Sequence, residues 1–210
     1  MSRPLLPLLA LAALAACKSS VPQEDKEWAF ACPPREASVT YDDGRSLTFT
    51  GADPADANIC LADAGGRPVR LIFGVVEEGP NEGRGHREGM NRLFPARENG
   101  NADYQAIVVS PGSGIQYPYG TRWRVLGFEQ LQVPAGSFAV VGLERQVTAT
   151  PPNNQQITFR YWLDQGSGIV VKRQVEVLRG SSLQRGYQAT RLTLPPPPPP
   201  PPAPAGPPRG

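Results

Sequence analysis

From Ser38 to Leu194 apolar and polar side chains alternate with a period near two, and the alternation is cut at short intervals by Gly, Pro, Asn and Asp. That period places successive side chains on opposite faces of an extended chain, so the pattern predicts strands. Ser38–Tyr41 and Ser46–Phe49 flank Asp42-Asp43-Gly44-Arg45, whose Asp-Gly pair is a hairpin signal. Further strands are expected at 58–61, 68–76, 104–110, 121–133, 138–148, 157–163, 169–177 and 186–194. Turn chemistry separates them at Gly65-Gly66, Pro111-Gly112-Ser113-Gly114, Pro134-Ala135-Gly136, Pro151-Pro152-Asn153-Asn154 and Asp164–Gly168. Residues 115–120, rich in Tyr and Pro, read as a short link.

Outside the N-terminus no window of useful length combines the i, i+3, i+4, i+7 period with helix caps. The expected fold class is therefore all-β: a single antiparallel meander that curls into a bent sheet or a half-open β-barrel, with one face apolar and one solvated. Residues 77–101 break the pattern. They are charged, glycine-rich and without period, and predict a long loop holding His86, either a solvated mobile segment or a lid or partner loop.

Two inward charges are expected. Arg173 shares parity with Ile169, Val171, Val175 and Val177, and Glu129 shares parity with Trp123, Val125, Leu131 and Val133. A charge on a core face needs a partner. One reading is a structural ion pair or exposure at a bulge. The other makes Arg173 a polar anchor in an open barrel, with Trp123, Tyr161 and Trp162 walling an apolar ligand.

The ends of the chain differ from its middle. Arg3 precedes a Leu/Ala run from Leu5 to Ala16, broken only by Pro7 and followed by Cys17. Twelve helical residues span about 18 Å, short of the roughly 30 Å hydrocarbon core of a bilayer, so the run reads as a secretion signal and not as a span. Leu14-Ala15-Ala16-Cys17 resembles the lipobox of bacterial lipoproteins. The resemblance implies cleavage before Cys17, diacylglyceryl on its sulfur and acylation of the new amine, hence attachment to a membrane through acyl chains. Two or more such chains anchor stably where one does not. Lys18 stands where an aspartate would imply retention in the inner membrane, so the resemblance leans to the outer membrane, facing the periplasm; the inner membrane and the cell surface are the alternatives. The organisation expected is a signal peptide over 1–16, a lipidated tether over 17–27, a β-domain over 28–194 and a disordered proline-rich tail over 195–210. The unbroken proline run from Pro195 to Pro202 implies polyproline II.

The chain has 210 residues, 19% of them charged, a formal net charge of +2 and three cysteines. That charge is too small to predict a nucleic-acid partner. With Cys17 acylated, Cys32 and Cys60 remain as a pair in an oxidising compartment, and a disulfide is expected. One histidine and two distant cysteines fall short of a metal site, and no cofactor motif is present. Gly112-Ser113-Gly114 and Gly166-Ser167-Gly168 lack the strand-to-helix context of a nucleophile elbow and read as turns. No catalytic residue is predicted.

A second resemblance lies in Tyr119-Gly120-Thr121-Arg122-Trp123, Val133-Pro134-Ala135-Gly136-Ser137-Phe138, Tyr161-Trp162 and Gly168-Ile169-Val170-Val171-Lys172. Across residues 117–177 the chain resembles a broad group of secreted bacterial β-domains of unknown function, themselves similar to the half-open barrels of lipoprotein carriers. Ser137 replaces the commoner Thr, and Asp164-Gln165 replaces a small or proline-rich turn. The resemblance transfers no catalytic residue. It leaves two functional expectations: a non-catalytic envelope structural or protein-interaction module, and a carrier of a lipid or other apolar ligand in a half-barrel cavity.

Overall fold

The computed structural model describes residues 26–79, 83–109, 115–149 and 154–196. The signal peptide with Cys17, the Pro111–Gly114 turn, most of the Pro151–Asn154 turn and the tail beyond residue 196 lie outside the described residues. The strands are β1 Glu27–Trp28, β2 Ser38–Tyr41, β3 Ser46–Asp53, β4 Asp56–Asp63, β5 Pro68–Ile72, β6 Val76–Glu77, β7 Ala96–Arg97, β8 Asn101–Val109, β9 Gln116–Val133, β10 Gly136–Ala149, β11 Gln156–Asp164, β12 Val170–Arg179 and β13 Tyr187–Thr193. One helix, α1, covers Gly83–Met90 between β6 and β7. Eleven strands form one antiparallel sheet in the order β6-β5-β4-β3-β2-β13-β12-β11-β10-β9-β8, while β1 and β7 pair separately. The protein is thus all-β, as the alternation predicts. The chain makes two meanders, and the last strand joins them by pairing with β2. The sheet does not close: β6 and β8 are its two margins.

The structure corrects the sequence reading in four places. First, residues 68–76 are not one strand. Phe73 and Gly74 adopt φ of 47° and 67°, and the chain turns there between β5 and β6.

Second, residues 115–120 belong to β9, which runs unbroken for 18 residues. Pro118 is tolerated because its only cross-strand partner is Ile107 of β8; pairing with β10 stops at Tyr119 among the described residues. The missing proline N–H therefore interrupts no ladder on the β10 side.

Third, the expected division into one apolar and one solvated face fails at β11. Ile157, Phe159, Tyr161 and Leu163 join one apolar cluster, and Trp162 joins a second on the opposite face. Two bulges explain why parity misassigns its neighbours. The β9–β10 register shifts at Gly142/Leu143, where Gly142 faces Gly127 and Leu143 faces Val125, leaving Leu126 unpaired. Gly127 takes the φ of +133° that the bulge requires. Trp123 and Val125 enter the first cluster, but Leu131 and Val133 pack with the second. Similarly Leu163 pairs with Val170 and Trp162 with Lys172, so Val171 is the extra residue. Ile169 and Val171 turn to the second cluster, away from Val175.

Fourth, residues 77–101 are not a solvated loop. His86, Met90, Leu93 and Ala96 are all buried. α1 packs on β8 and reaches β5, so it lies between the two margins of the open sheet. Arg87 pairs with Glu78 at 3.3 Å, and Asn91 accepts a hydrogen bond from Asn58 at 3.2 Å, tying the helix end to the N-terminal meander. Gly85 and Gly89 are one helical turn apart and face β8. A Cβ on Gly85 would sit 3.1 Å from the Gln105 carbonyl, and one on Gly89 would overlap the Tyr104 ring. The sheet-facing side of this helix is made of glycine, so it leaves no apolar period in the sequence.

Cys32 and Cys60 form the expected disulfide, with Cα atoms 5.3 Å apart, and fasten the N-terminal segment to β4. Closing a separation of 28 residues stabilises the fold by about 3.5 kcal/mol in the chain-entropy treatment. The same segment carries Trp28, whose indole N–H donates to the Gln165 carbonyl at 3.0 Å, and Phe30, which lies 5.7 Å from Phe94. These rings pack against the first cluster.

The helix contact predicts the effect of one methyl group. Gly89→Ala should displace α1 from β8 and cost about 2–4 kcal/mol, because rigid ring and backbone atoms must move. Urea denaturation of the variant measures it. A change below about 0.5 kcal/mol would show that α1 is not seated on Tyr104.

Candidate functional site: the concave cavity

The concave face of the open sheet encloses a cavity of about 1330 Å³. Its apolar wall includes Leu71, Val75, Val147, Ile157, Phe159 and Val170. Its polar side chains come from many parts of the chain, among them the β2–β3 turn, α1, the start of β9 with the centre of β10, the facing positions of β11 and β12, and the segment leading into β13. The expected ligand wall is only half assembled. Tyr161 and Arg173 face each other across β11 and β12 and both line the cavity. Trp123 is fully buried beside Tyr161, with ring centroids 5.7 Å apart, and does not reach the cavity surface. Trp162 points to the opposite face, where its indole N–H donates to Glu129 at 2.6 Å and Lys172 lies 5.1 Å from its ring. Glu129 is thereby accounted for: the bulge carries it away from the face of Trp123 and gives it the Trp162 N–H.

Arg173 is not a buried anchor. Its Nε and Nη2 donate to the Arg185 carbonyl at 3.1 and 2.6 Å, and Nη1 donates to Gln184 Oε1 at 3.2 Å. Its guanidinium lies 4.5 Å from the Tyr187 ring. The side chain holds the segment between β12 and β13 at the cavity wall. Burial pushes the Tyr187 hydroxyl up to about 12, so it is neutral at ordinary pH.

Sequence reasoning missed the polar cluster at the other side of the cavity. His86 is 1% exposed, with Nδ1 2.9 Å from the Tyr104 hydroxyl and Nε2 2.8 Å from the Tyr119 hydroxyl. Trp123 Nε1 donates to the same Tyr104 oxygen at 2.9 Å. Because an indole N–H only donates, Tyr104 accepts from Trp123, and the two hydroxyls and both His86 ring nitrogens continue the hydrogen-bonded chain to Tyr119. Burial, followed by the positive charge of Arg145, pushes the His86 imidazole down from 6.5 to about 3. Burial likewise pushes the Tyr104 hydroxyl up to about 12. The cluster is neutral and ordered, and no serine or cysteine among the described residues is hydrogen-bonded to His86.

Arg145 lies beside this cluster, at the centre of β10 between Trp123 and Phe159 on the flanking strands. It is 8% exposed and lines the cavity. Its Nη2 reaches the Tyr119 hydroxyl at 3.5 Å, a long bond, and its buried Nε has no partner. The preceding residue, Glu144, faces the other side of the sheet. It accepts from Arg124 and Arg160, each at 2.9 Å, and Arg160 continues to Glu176 at 3.3 Å. Burial alone would raise the Glu144 carboxyl, but the hydrogen bonds from Arg160 and Arg124 outweigh it and hold the group below its ordinary range. Two adjacent charges at mid-strand were the available signal: alternation puts one of them on each face, so one had to point inward.

Ser167 is explained by its turn. Its hydroxyl and backbone N–H donate to Asp164 Oδ2 at 2.6 and 2.9 Å, so Gly166-Ser167-Gly168 is held as the turn between β11 and β12. Among the described residues no cluster of three or more His, Cys, Asp or Glu side chains is placed to hold a metal ion.

The class defined by this geometry is an unclosed antiparallel β-sheet around a ligand-sized cavity. No protein-family profile and no curated protein sequence matches the chain. Among solved structures it is similar to the hypothetical lipoprotein YmcC from Escherichia coli, at 10% identity and a TM-score of 0.48, over 77% of this chain and 84% of that one.

Two outcomes test the site's description. His86 binds its proton near pH 6.5 when unfolded and near pH 3 when folded. The stability from its neutral burial is complete above the unfolded value and is lost as pH falls toward the folded one, by about 2 kcal/mol between pH 8 and 5. Urea denaturation across this range should show the slope in the native chain and its loss in His86→Gln; an unchanged slope would place the titration elsewhere. Arg173→Met should speed amide exchange in residues 181–186 at least about tenfold while changing global stability by less than about 1 kcal/mol. Unchanged exchange there would remove its role in holding the segment.

Proposed function

We propose that the chain is a lipid-anchored envelope protein whose β-domain carries no reaction of its own and holds an apolar or amphipathic ligand on its concave face. The cavity carries this reading: its volume of about 1330 Å³ exceeds the usual range of small-ligand sites, and its wall combines apolar side chains with about as many polar and charged ones, as an amphipathic ligand requires. A structural module would fill that space. Lipidation at Cys17 and residence at the outer membrane, facing the periplasm, rest on Leu14-Ala15-Ala16-Cys17 and Lys18. The Cys32–Cys60 bridge fits an oxidising compartment. The membrane, through acyl chains on Cys17, is the first partner under this reading. A second reading, an envelope protein-interaction module, draws on Leu183, fully exposed in the cavity lining, and on Leu178, 55% exposed at the end of β12.

The experiment is native purification from membranes followed by mass spectrometry, beside the Cys17→Ser variant. The native chain should fractionate with membranes, bear an acyl mass and release an apolar molecule in near-stoichiometric amount. The variant should leave the membrane fraction. Retention of Cys17→Ser in membranes at the native mass would refute the anchor, and an empty native protein would refute the ligand.

A further inference from the structure

We propose that the cavity contains a carboxylate-binding subsite centred on Arg145, and that the ligand is a monocarboxylate amphiphile that enters head first. The proposal rests on the ligand-binding reading above and adds the chemistry of the ligand. Its basis is an uncompensated charge. Arg145 is more than nine-tenths buried and lines the cavity, yet no carboxylate among the described residues pairs with it. Its Nε has no hydrogen-bond partner, and its one bond, to Tyr119, is 3.5 Å long. The Trp123 and Phe159 rings, 5.7 and 5.9 Å from the guanidinium carbon, compensate the charge only in part. Thr121, two positions before Trp123 on β9 and so on the same face, has a buried hydroxyl that also lacks a partner. Buried polar groups are normally satisfied, and buried guanidinium groups normally paired.

Charge and shape narrow the ligand. His86 and Tyr104 beside Arg145 are neutral, so neither offsets the buried guanidinium charge. A single negative charge balances it, whereas a doubly charged phosphate monoester would leave a buried anion. A phosphodiester carries substituents on both sides and does not present a free end. A carboxylate is small, terminal and singly charged, and its two oxygens match the Nε and Nη edge of a guanidinium. Val147, Ile157, Phe159 and Val170 give the lining an apolar strip that suits an apolar body, and the polar segment held by Arg173 borders the same space.

The test uses the full chain carrying Cys17→Ser, titrated calorimetrically at pH 7.5 with decanoate, 1-decanol and decyl phosphate. Decanoate should bind at least about tenfold more tightly than decanol, a difference of about 1.4 kcal/mol. In Arg145→Met this preference should vanish while decanol affinity is kept. The melting temperature of the unliganded variant should not fall, because an unpaired buried charge is replaced by an apolar side chain. Equal affinity of the native chain for decanoate and decanol overturns the subsite and leaves the binding reading standing. Binding of neither overturns both. Tighter binding of decyl phosphate overturns the carboxylate assignment. If Arg145→Met does not fold, Arg145 is structural and the proposal fails unless the native chain, which needs no variant, still discriminates acid from alcohol.

Discussion

The two margins of the eleven-stranded sheet never hydrogen-bond to each other, and the rest of the structure depends on what stands between them. A sheet this long must bend, close or be covered. Here it bends, and an eight-residue helix occupies the interval, packed on β8 and reaching β5. A helix that short has little stability of its own. It exists because Met90 and the following Leu93 bury into the first apolar cluster, and because two glycines let its axis approach the sheet. Closing the interval by direct strand pairing would turn the sheet into a barrel without this opening. Bridging it with a helix keeps the interior open along the remaining wall.

The same bridge explains the electrostatics. Seating α1 on Tyr104 buries His86, and a buried imidazole without an acidic partner stays neutral. It then serves as a hydrogen-bond relay that orders two tyrosine hydroxyls. Arg145 strengthens the effect, since a nearby positive charge further disfavours protonation. The helix, the tyrosines and the guanidinium form one arrangement, and each term relies on the position of the others.

Much of the framework could be read from the residues. Asp42-Asp43-Gly44-Arg45 and Pro134-Ala135-Gly136 do join hairpins, and Cys32 does meet Cys60. Turn chemistry is local, and the cysteine argument needed only a count. What could not be read depends on contacts that strand parity does not encode. One extra residue near Leu126 and another at Val171 exchange the faces of everything beyond them, so Glu129 and Trp162 meet on one side while Tyr161 and Arg173 meet on the other. α1 leaves no apolar stripe because its contact side is glycine. Trp123 is fully buried and hydrogen-bonds to Tyr104 beneath α1, a contact between residues that lie apart in sequence.

Glu144 and Arg145 show how one strand can resolve buried charge in two ways. Both are almost fully covered, and they differ by one residue and hence by face. On the outer face Glu144 sits in an alternating row of Arg124, Glu144, Arg160 and Glu176, where each buried oxygen has a donor. On the inner face Arg145 has aromatic rings to either side and one long hydrogen bond. If Arg145 served only the fold, a carboxylate at any of its cross-strand neighbours would complete it, as happens on the other side of the same strand. Those positions hold Trp123 and Phe159, which shield the charge from water without neutralising it. Shielding without neutralisation raises the affinity for an incoming anion, because the attraction acts in a region of low dielectric constant. The cost in fold stability and the gain in ligand affinity have the same origin.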